Sequence, residues 1–189
     1  MISVLVGLGN PGAAYARQRH NIGFMAMEAM AAAHGFPSWT ARHQGLMSTK
    51  HIDERPCFLF QPQTFMNESG RALARLLRFY RLDASAALVF HDELDLPFGK
   101  CRIKQGGSTA GHNGLESLAQ HVGAQFWRVR LGIGHPGVKA RVTRHVLGNF
   151  AAAEKTRLAH WLEALAGELP ALLAGRMDLV QNHLHEAMR

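Results

Sequence analysis

The chain has 189 residues, 47% of them hydrophobic and 19% charged, with a formal net charge of +7. That length and balance fit a single domain with a sizeable core, and no run of about 18 apolar residues is present to span a membrane. The basic surplus points to a polyanion, nucleic acid before an anionic membrane surface, while Cys57 and Cys101, far apart and outside any C-x-x-C, fit a reduced cytoplasmic setting.

Taken in chain order, the apolar ISVLV of residues 2–6 reads as a first strand rather than a signal peptide. It runs into Gly7-Leu8-Gly9-Asn10-Pro11-Gly12, which matches the G-x-G-x-x-G of dinucleotide sites by letter. The match fails on chemistry. Pro11 falls where the phosphate-binding helix should begin, and no acidic residue ends a second strand about 20 positions on. The same residues instead form an Asn-Pro-Gly turn that offers Asn10, a donor and an acceptor, at a strand end. His20 follows in RHNIGF, at the start of a helical pattern over residues 20–34. Its imidazole titrates near neutrality and can take a proton from water, provided a partner orients it.

Next, GLMSTKHI and PCFLFQ read as a strand pair turning at DERP. FMNESG places Asn67 just before an amphipathic helix, with Leu73, Leu76, Leu77 and Tyr80 on one face and Arg71, Arg75, Arg78 and Arg81 on the other. Those arginines read first as a solvated face and second as an RNA contact. The strand ALVFHDEL ends in carboxylates, so Asp92 is placed to orient a histidine and stabilise its protonated form. No H-E-x-x-H, Cys/His ligand spacing or EF-hand loop accompanies it.

KCRIK is a further strand. Gly106, Gly107 and Gly111 then shape a turn into the helix GHNGLESLAQHV, bringing His112 and Asn113 to its start, where backbone N–H groups can hold an anion. WRVRLGIG is the last strand. Lys100, Arg102 and Lys104 alternate with Cys101 and Ile103, and Arg128 and Arg130 with Val129 and Leu131. Period two gathers each basic set on one sheet face, as phosphate binding would require. Lys139, Arg141 and Arg144 extend the basic character across 138–150, a candidate lid, and residues 151–186 read as C-terminal helices. Strands alternating with helices predict an α/β single-domain, three-layer fold over 1–189: a twisted mixed, mostly parallel sheet with helices on both faces and its site beyond the strands' carboxyl ends.

Two rival chemistries use the same residues. Gly106-Gly107-Ser108-Thr109-Ala110 stands one residue short of a G-x-S-x-G elbow, so Ser108, with Glu116 and a later histidine, is a serine-hydrolase candidate. A non-catalytic RNA binder would use the basic strands equally well, but it would not require both His20 and Asp92.

The stretches VGLGNPGAAYARQRHNIGF, PQTFMNESG, HDELDLPFGKCRIK, GGSTAGHNGLESL and RVRLGIGHPG, in that order over residues 3–137, together resemble the bacterial-type peptidyl-tRNA hydrolase family. The resemblance implies a monomeric, cytoplasmic, cofactor- and metal-independent esterase that frees tRNA by cleaving the ester between a peptide and the 3′-terminal ribose. It implies His20 as general base, Asp92 as its partner and Asn10 near the ester. It also implies Tyr15, Phe65, Met66, Asn67, His112 and Asn113 as the lining for the tRNA end and peptide, and Arg102, Lys104 and Arg130 as phosphate contacts. The family pattern has glycine where this chain has Ala110, a stiffer residue for that loop.

Overall fold

The computed structural model describes residues 1–189. One seven-stranded sheet runs through it: β1 (Val4–Gly7), β2 (Thr40–Arg42), β3 (Gly45–Ile52), β4 (Arg55–Pro62), β5 (Ala87–Glu93), β6 (Cys101–Gln105) and β7 (Trp127–Gly132), in the spatial order β2-β3-β4-β1-β5-β7-β6. The four central strands, β4, β1, β5 and β7, are mutually parallel. The β2–β3, β3–β4 and β6–β7 pairs are antiparallel, so parallel pairing makes up half of the sheet. Every residue of β1 and β5 is buried, as both faces of a central parallel strand must be.

The strands' alternation sorts the core into two layers. Leu5, Leu59, Leu88, Phe90, Val129 and Leu131 face one side. There α1 (Ile22–Ala33), α5 (Ala152–Gly167), α6 (Leu169–Leu173) and α7 (Met177–Ala187) bring Met27, Trp161, Leu169 and Val180. Val4, Val6, Phe58, Phe60 and Val89 face the other side, under Leu73 and Leu76 of α2 (Ser69–Tyr80) and Leu118 of α3 (Asn113–Val122). The C-terminal helix also protects a sheet edge: Gln181 Oε1 accepts from the outward N–H of Ile103 on β6 at 3.0 Å.

Three local features depart from the sequence pattern. β2 is short, wholly exposed and joined to β3 through His43 and Gln44 at φ 55° and 59°, a turn without the glycine or asparagine that usually announces one. α1 and α2 are each entered through a 3-10 turn, Arg19–Asn21 and Met66–Glu68, which shifts their starts two residues past His20 and Asn67. Segment 138–150 is not an open loop: it contains a 3-10 turn Lys139–Arg141 and α4 (Val142–Val146). It is tied down where Arg19 donates from its backbone to Gly148 O at 2.9 Å and from Nη1 to His145 O at 3.2 Å.

The opening glycines explain how α1 is seated. A Cβ on Gly7 would collide with the Gly23 carbonyl, and one on Gly23 with the backbone of Leu8 and Phe90. The absence of both side chains lets α1 lie directly on β1 and β5, which carries His20 to the strands' carboxyl ends. The G-x-G spacing serves helix–strand packing here, not a pyrophosphate.

Candidate active site

His20, in the 3-10 turn before α1, places Nδ1 2.8 Å from Asp92 Oδ2 at the end of β5. The other carboxylate oxygen, Oδ1, lies 2.7 Å from His112 Nε2. The His112 tautomer follows from its neighbours. Its Nδ1 accepts from the backbone N–H of Gly114 and Leu115 at 3.1 and 3.3 Å, capping α3, so its proton sits on Nε2 and is donated to Asp92. Asp92 thus receives two N–H groups in a buried setting. Burial would raise its carboxyl, but the two histidines hold it well below the usual carboxylate range. The ligand-capable atoms of the three residues lie within 4.8 Å of one another and could gather around a metal, yet the two N–H···O bonds already account for their convergence.

His20 feels opposing influences. Burial pushes its imidazolium down, Asp92's charge and hydrogen bond push it up, and the net result lies above the ordinary 6.5. With Nδ1 committed to Asp92, Nε2 has no partner within the protein, and the ring lines a cavity of about 660 Å³. His91, next along β5, is different. Its Nδ1 donates to the Asp92 carbonyl at 2.8 Å, its Nε2 is buried without a partner, and burial pushes it down to about 3, leaving the ring neutral.

The cavity opens between the glycine-rich turn 107–111 and α4, and Lys104, Arg130 and Lys139 give it a cationic wall opposed by Glu93 and Asp95. The β6–β7 register sets Arg102 opposite Arg130 and Lys104 opposite Arg128. Like charges so close repel, and two of the four are compensated. Arg130 Nε lies 2.7 Å from Glu93 Oε1, and Arg128, 1% exposed, donates from Nη1 and Nη2 to the carbonyls of Ser108 and Gly107 at 2.7 and 2.9 Å. Arg128 therefore acts as a strut for the glycine-rich turn, not as an outward cation. Arg102 is exposed and Lys104 partly so.

Asn10 occupies the other side of the His20 turn. Its Oδ1 accepts from Met66 N–H at 2.7 Å, which fixes the carboxamide's orientation and leaves Nδ2 as a donor. Its backbone is clamped by Asn21, which accepts from Asn10 N–H and donates to Asn10 O, both at 2.9 Å. No hydrogen bond joins Asn10 to His20; the link is the next residue, Asn21. Met66 packs on the first turn of α3, where a Cβ on Gly114 would strike its Sδ. That contact brings the turn bearing the exposed Asn67 against the helix that starts with the exposed Asn113. Tyr15 and the 61% exposed Phe65 meet edge-on at 6.4 Å beside them. Asn10, Tyr15, Phe65, Met66 and Asn67 lie outside the cavity lining, so the site is a cationic cavity and an amide–aromatic shelf meeting at His20–Asn21.

Ser108 does not meet a histidine. Its Oγ accepts from Ala110 N–H at 3.1 Å, and its carbonyl is held by Arg128, so no nucleophile–base pair exists there. Two participants escaped the sequence pattern. Asn21 stood in the quoted RHNIGF but carried no signal apart from its neighbour. Arg128 was legible as basic but not as buried.

Fold and site together define an α/β protein with a histidine–aspartate–histidine cluster, His20 and Asp92 buried and His112 partly so, below a cationic cavity at the carboxyl ends of parallel strands. A family model described as peptidyl-tRNA hydrolase matches residues 4–189. The chain is 52% identical over 175 residues to a peptidyl-tRNA hydrolase of Rhodospirillum centenum, covering 93% of this chain and 77% of that protein. It is 51% identical over 179 residues to one of Novosphingobium aromaticivorans, covering 95% and 94%. A crystal structure of peptidyl-tRNA hydrolase from Acinetobacter baumannii superposes with a TM-score of 0.90 at 37% identity, over 97% of this chain and 94% of that one. The chain belongs to the peptidyl-tRNA hydrolase family and is an enzyme of the hydrolase class.

Proposed function

We propose that this chain hydrolyses the ester joining a peptide, or an N-blocked amino acid, to the 3′-terminal ribose of tRNA, with His20 as the general base. The observation that carries this reading is the His20 Nδ1–Asp92 Oδ2 bond of 2.8 Å, with Nε2 left open on the cavity. In the neutral form, His20 Nδ1–H is held by Asp92 and Nε2 takes a proton from water. The oxygen of that water adds to the ester carbonyl. The imidazolium, stabilised by the ionised Asp92, returns the proton to the departing ribose oxygen, so one water is consumed and an acid and an alcohol are released. A general base of this kind contributes about 10²–10⁴ in rate.

Asn10 Nδ2, aimed by the Met66 N–H bond, and the exposed amides of Asn67 and Asn113 supply donors for the carbonyl oxygen and the peptide backbone. One well-placed oxyanion donor is worth about 3–4 kcal/mol of barrier. Tyr15 and Phe65 offer apolar faces beside them, and His112 holds Asp92. Arg102, Lys104 and Arg130 form the phosphate-binding edge, Arg130 exchanging Glu93 for a phosphate. The proposed site is complete within one copy of the chain, read as a monomer of one domain over 1–189. No helix is long and apolar enough to cross a membrane. Cys57 and Cys101 are free and buried, as reduced thiols of a cytoplasmic protein would be.

The test is release of N-acetyl-aminoacyl groups from tRNA by the purified protein. Wild type turns over, His20→Ala loses nearly all activity, and Ser108→Ala keeps most of it. A dead Ser108→Ala beside an active His20→Ala would transfer the chemistry to a serine. No turnover by wild type would leave an RNA-binding protein.

A further inference from the structure

The outer face of α2 carries a cluster of unbalanced positive charge outside the site. Arg71, Arg75, Arg78 and Arg81 are all exposed, and Arg42 of β2 joins them across the sheet edge. Only Arg71 has an anionic partner, Glu68 at 3.0 Å; the other four form no ion pair. Aromatic rings lie among these cations. Phe79 is 60% exposed, the Arg42 guanidinium sits 5.4 Å from its centroid, and the rings of His43 and Tyr80 lie 5.0 and 4.9 Å away. Burial and the charges of Arg42 and Arg75 lower the pKa of His43, so its ring is neutral and suited to stacking.

This surface is distinct from the phosphate-binding edge. Arg42 and Lys104 stand on the two outermost strands, β2 and β6, with five strands between them. At about 4.8 Å per strand that is roughly 29 Å. Phe79 lies ten residues along α2 from Ser69, about 15 Å from the end of the helix that adjoins the site.

We infer that the Arg42–His43–Arg75–Arg78–Phe79 surface binds single-stranded RNA, its guanidinium groups on the phosphates, with the exposed Phe79 ring and the half-buried His43 ring stacked on bases. A single strand fits better than a duplex because a duplex buries the base faces that Phe79 would meet. It fits better than an acidic peptide, which would satisfy the arginines and leave the aromatic cluster without a partner. The surface lies outside the hydrolytic site, so its failure leaves the ester-hydrolysis reading standing, and the reverse.

The probe is a fluorescein-labelled oligouridylate of about 12 nucleotides, within the usual span of such sites. It is read by anisotropy across a salt series, with every chain carrying Lys104→Gln to quiet the opposite edge. Arg75→Gln with Arg78→Gln should weaken binding and reduce the log–log salt slope by about 1.4, two single-strand phosphate contacts. Phe79→Ser, an exposed substitution, should weaken binding about tenfold with the slope unchanged, as expected for loss of a stacked base. Thermal melting of each variant checks that the fold is kept. Unchanged affinity in both variants would overturn the inference. So would loss in the arginine variant alone combined with equal competition by polyglutamate, which would make the surface a general anion patch.

Discussion

At Ala110 the backbone adopts φ 48°, the left-handed region, in a turn whose flanking glycines Gly107 and Gly111 are also at positive φ. A Cβ there costs about 1–2 kcal/mol, partly repaid because alanine restricts the unfolded chain. Ala110→Gly should therefore leave stability unchanged or raise it by up to about 1 kcal/mol, whereas alanine-to-glycine at an exposed helical position costs about 0.5–1 kcal/mol. Urea denaturation of Ala110→Gly compared with an exposed mid-helix control such as Ala159→Gly checks this, and equal losses would contradict it. The residues that could be read from the sequence are those whose chemistry is local. His20 begins a helix pattern, Asp92 ends an apolar strand, and Asn10 precedes Pro-Gly. Asn21 could not be read this way, because its two bonds to the Asn10 backbone span 11 residues and depend on how α1 is seated. Nor could the double use of His112, which caps its own helix through Nδ1 and grips Asp92 through Nε2. Arg128 alternates with apolar neighbours just as Arg130 does, and period two cannot tell a buried strut from a cavity wall.

The seating of α1 is an element-scale property and rests on Gly7 and Gly23. Gly23→Ala would place a methyl group into the backbone of Leu8, just past β1, and of Phe90 on β5, where the Leu8 N–H donates to Phe90 O and β5 is paired on both sides, so neither can easily yield. The expected cost is at least about 1–3 kcal/mol. His20, three residues upstream, would move with the helix, so activity should fall beyond what the stability loss explains. Urea unfolding together with kcat measured well below the melting temperature separates the two effects; a Gly23→Ala chain with wild-type stability would refute the close-approach account. At this scale the apolar runs of β1, β4 and β5 and the period of α2 were plain in the sequence. β2 was not, being three exposed residues with no glycine in its turn. The extent of antiparallel pairing was legible for the β3–β4 hairpin. For β6–β7 it was not, because α3 intervenes and a crossover helix ordinarily signals parallel strands.

For the whole molecule, the sheet order brings the carboxyl ends of β1, β5 and β7 together, so groups from distant segments converge on Asp92. The same burial makes stability depend on pH. His91 is neutral in the fold with its pKa near 3, while in the unfolded chain it takes a proton below about 6.5. The unfolded state therefore binds more protons as pH falls, and stability drops from 6.5 downward. His20 has a raised pKa, so its stabilisation is fully present below 6.5 and is lost only as pH rises through the folded value; it does not offset the loss. Urea midpoints should fall between pH 6.5 and about 4.5, and His91→Gln should flatten that fall. An equal fall in the variant would place the proton uptake elsewhere.

The mechanism itself makes the sharpest demand. In the proposed mechanism His20 must be neutral to take a proton from water, and its pKa is raised by Asp92 against the effect of burial. The deciding measurement is kcat/KM against pH for wild type and Asp92→Asn on N-acetyl-aminoacyl-tRNA. Wild type should rise with pH through a single midpoint above 6.5. Asp92→Asn should lose about 10²–10⁴ in rate, with its midpoint moved to lower pH, since burial remains and the opposing charge is gone. A wild-type profile with no such limb, or the same midpoint in both proteins, would contradict His20 as the Asp92-supported base.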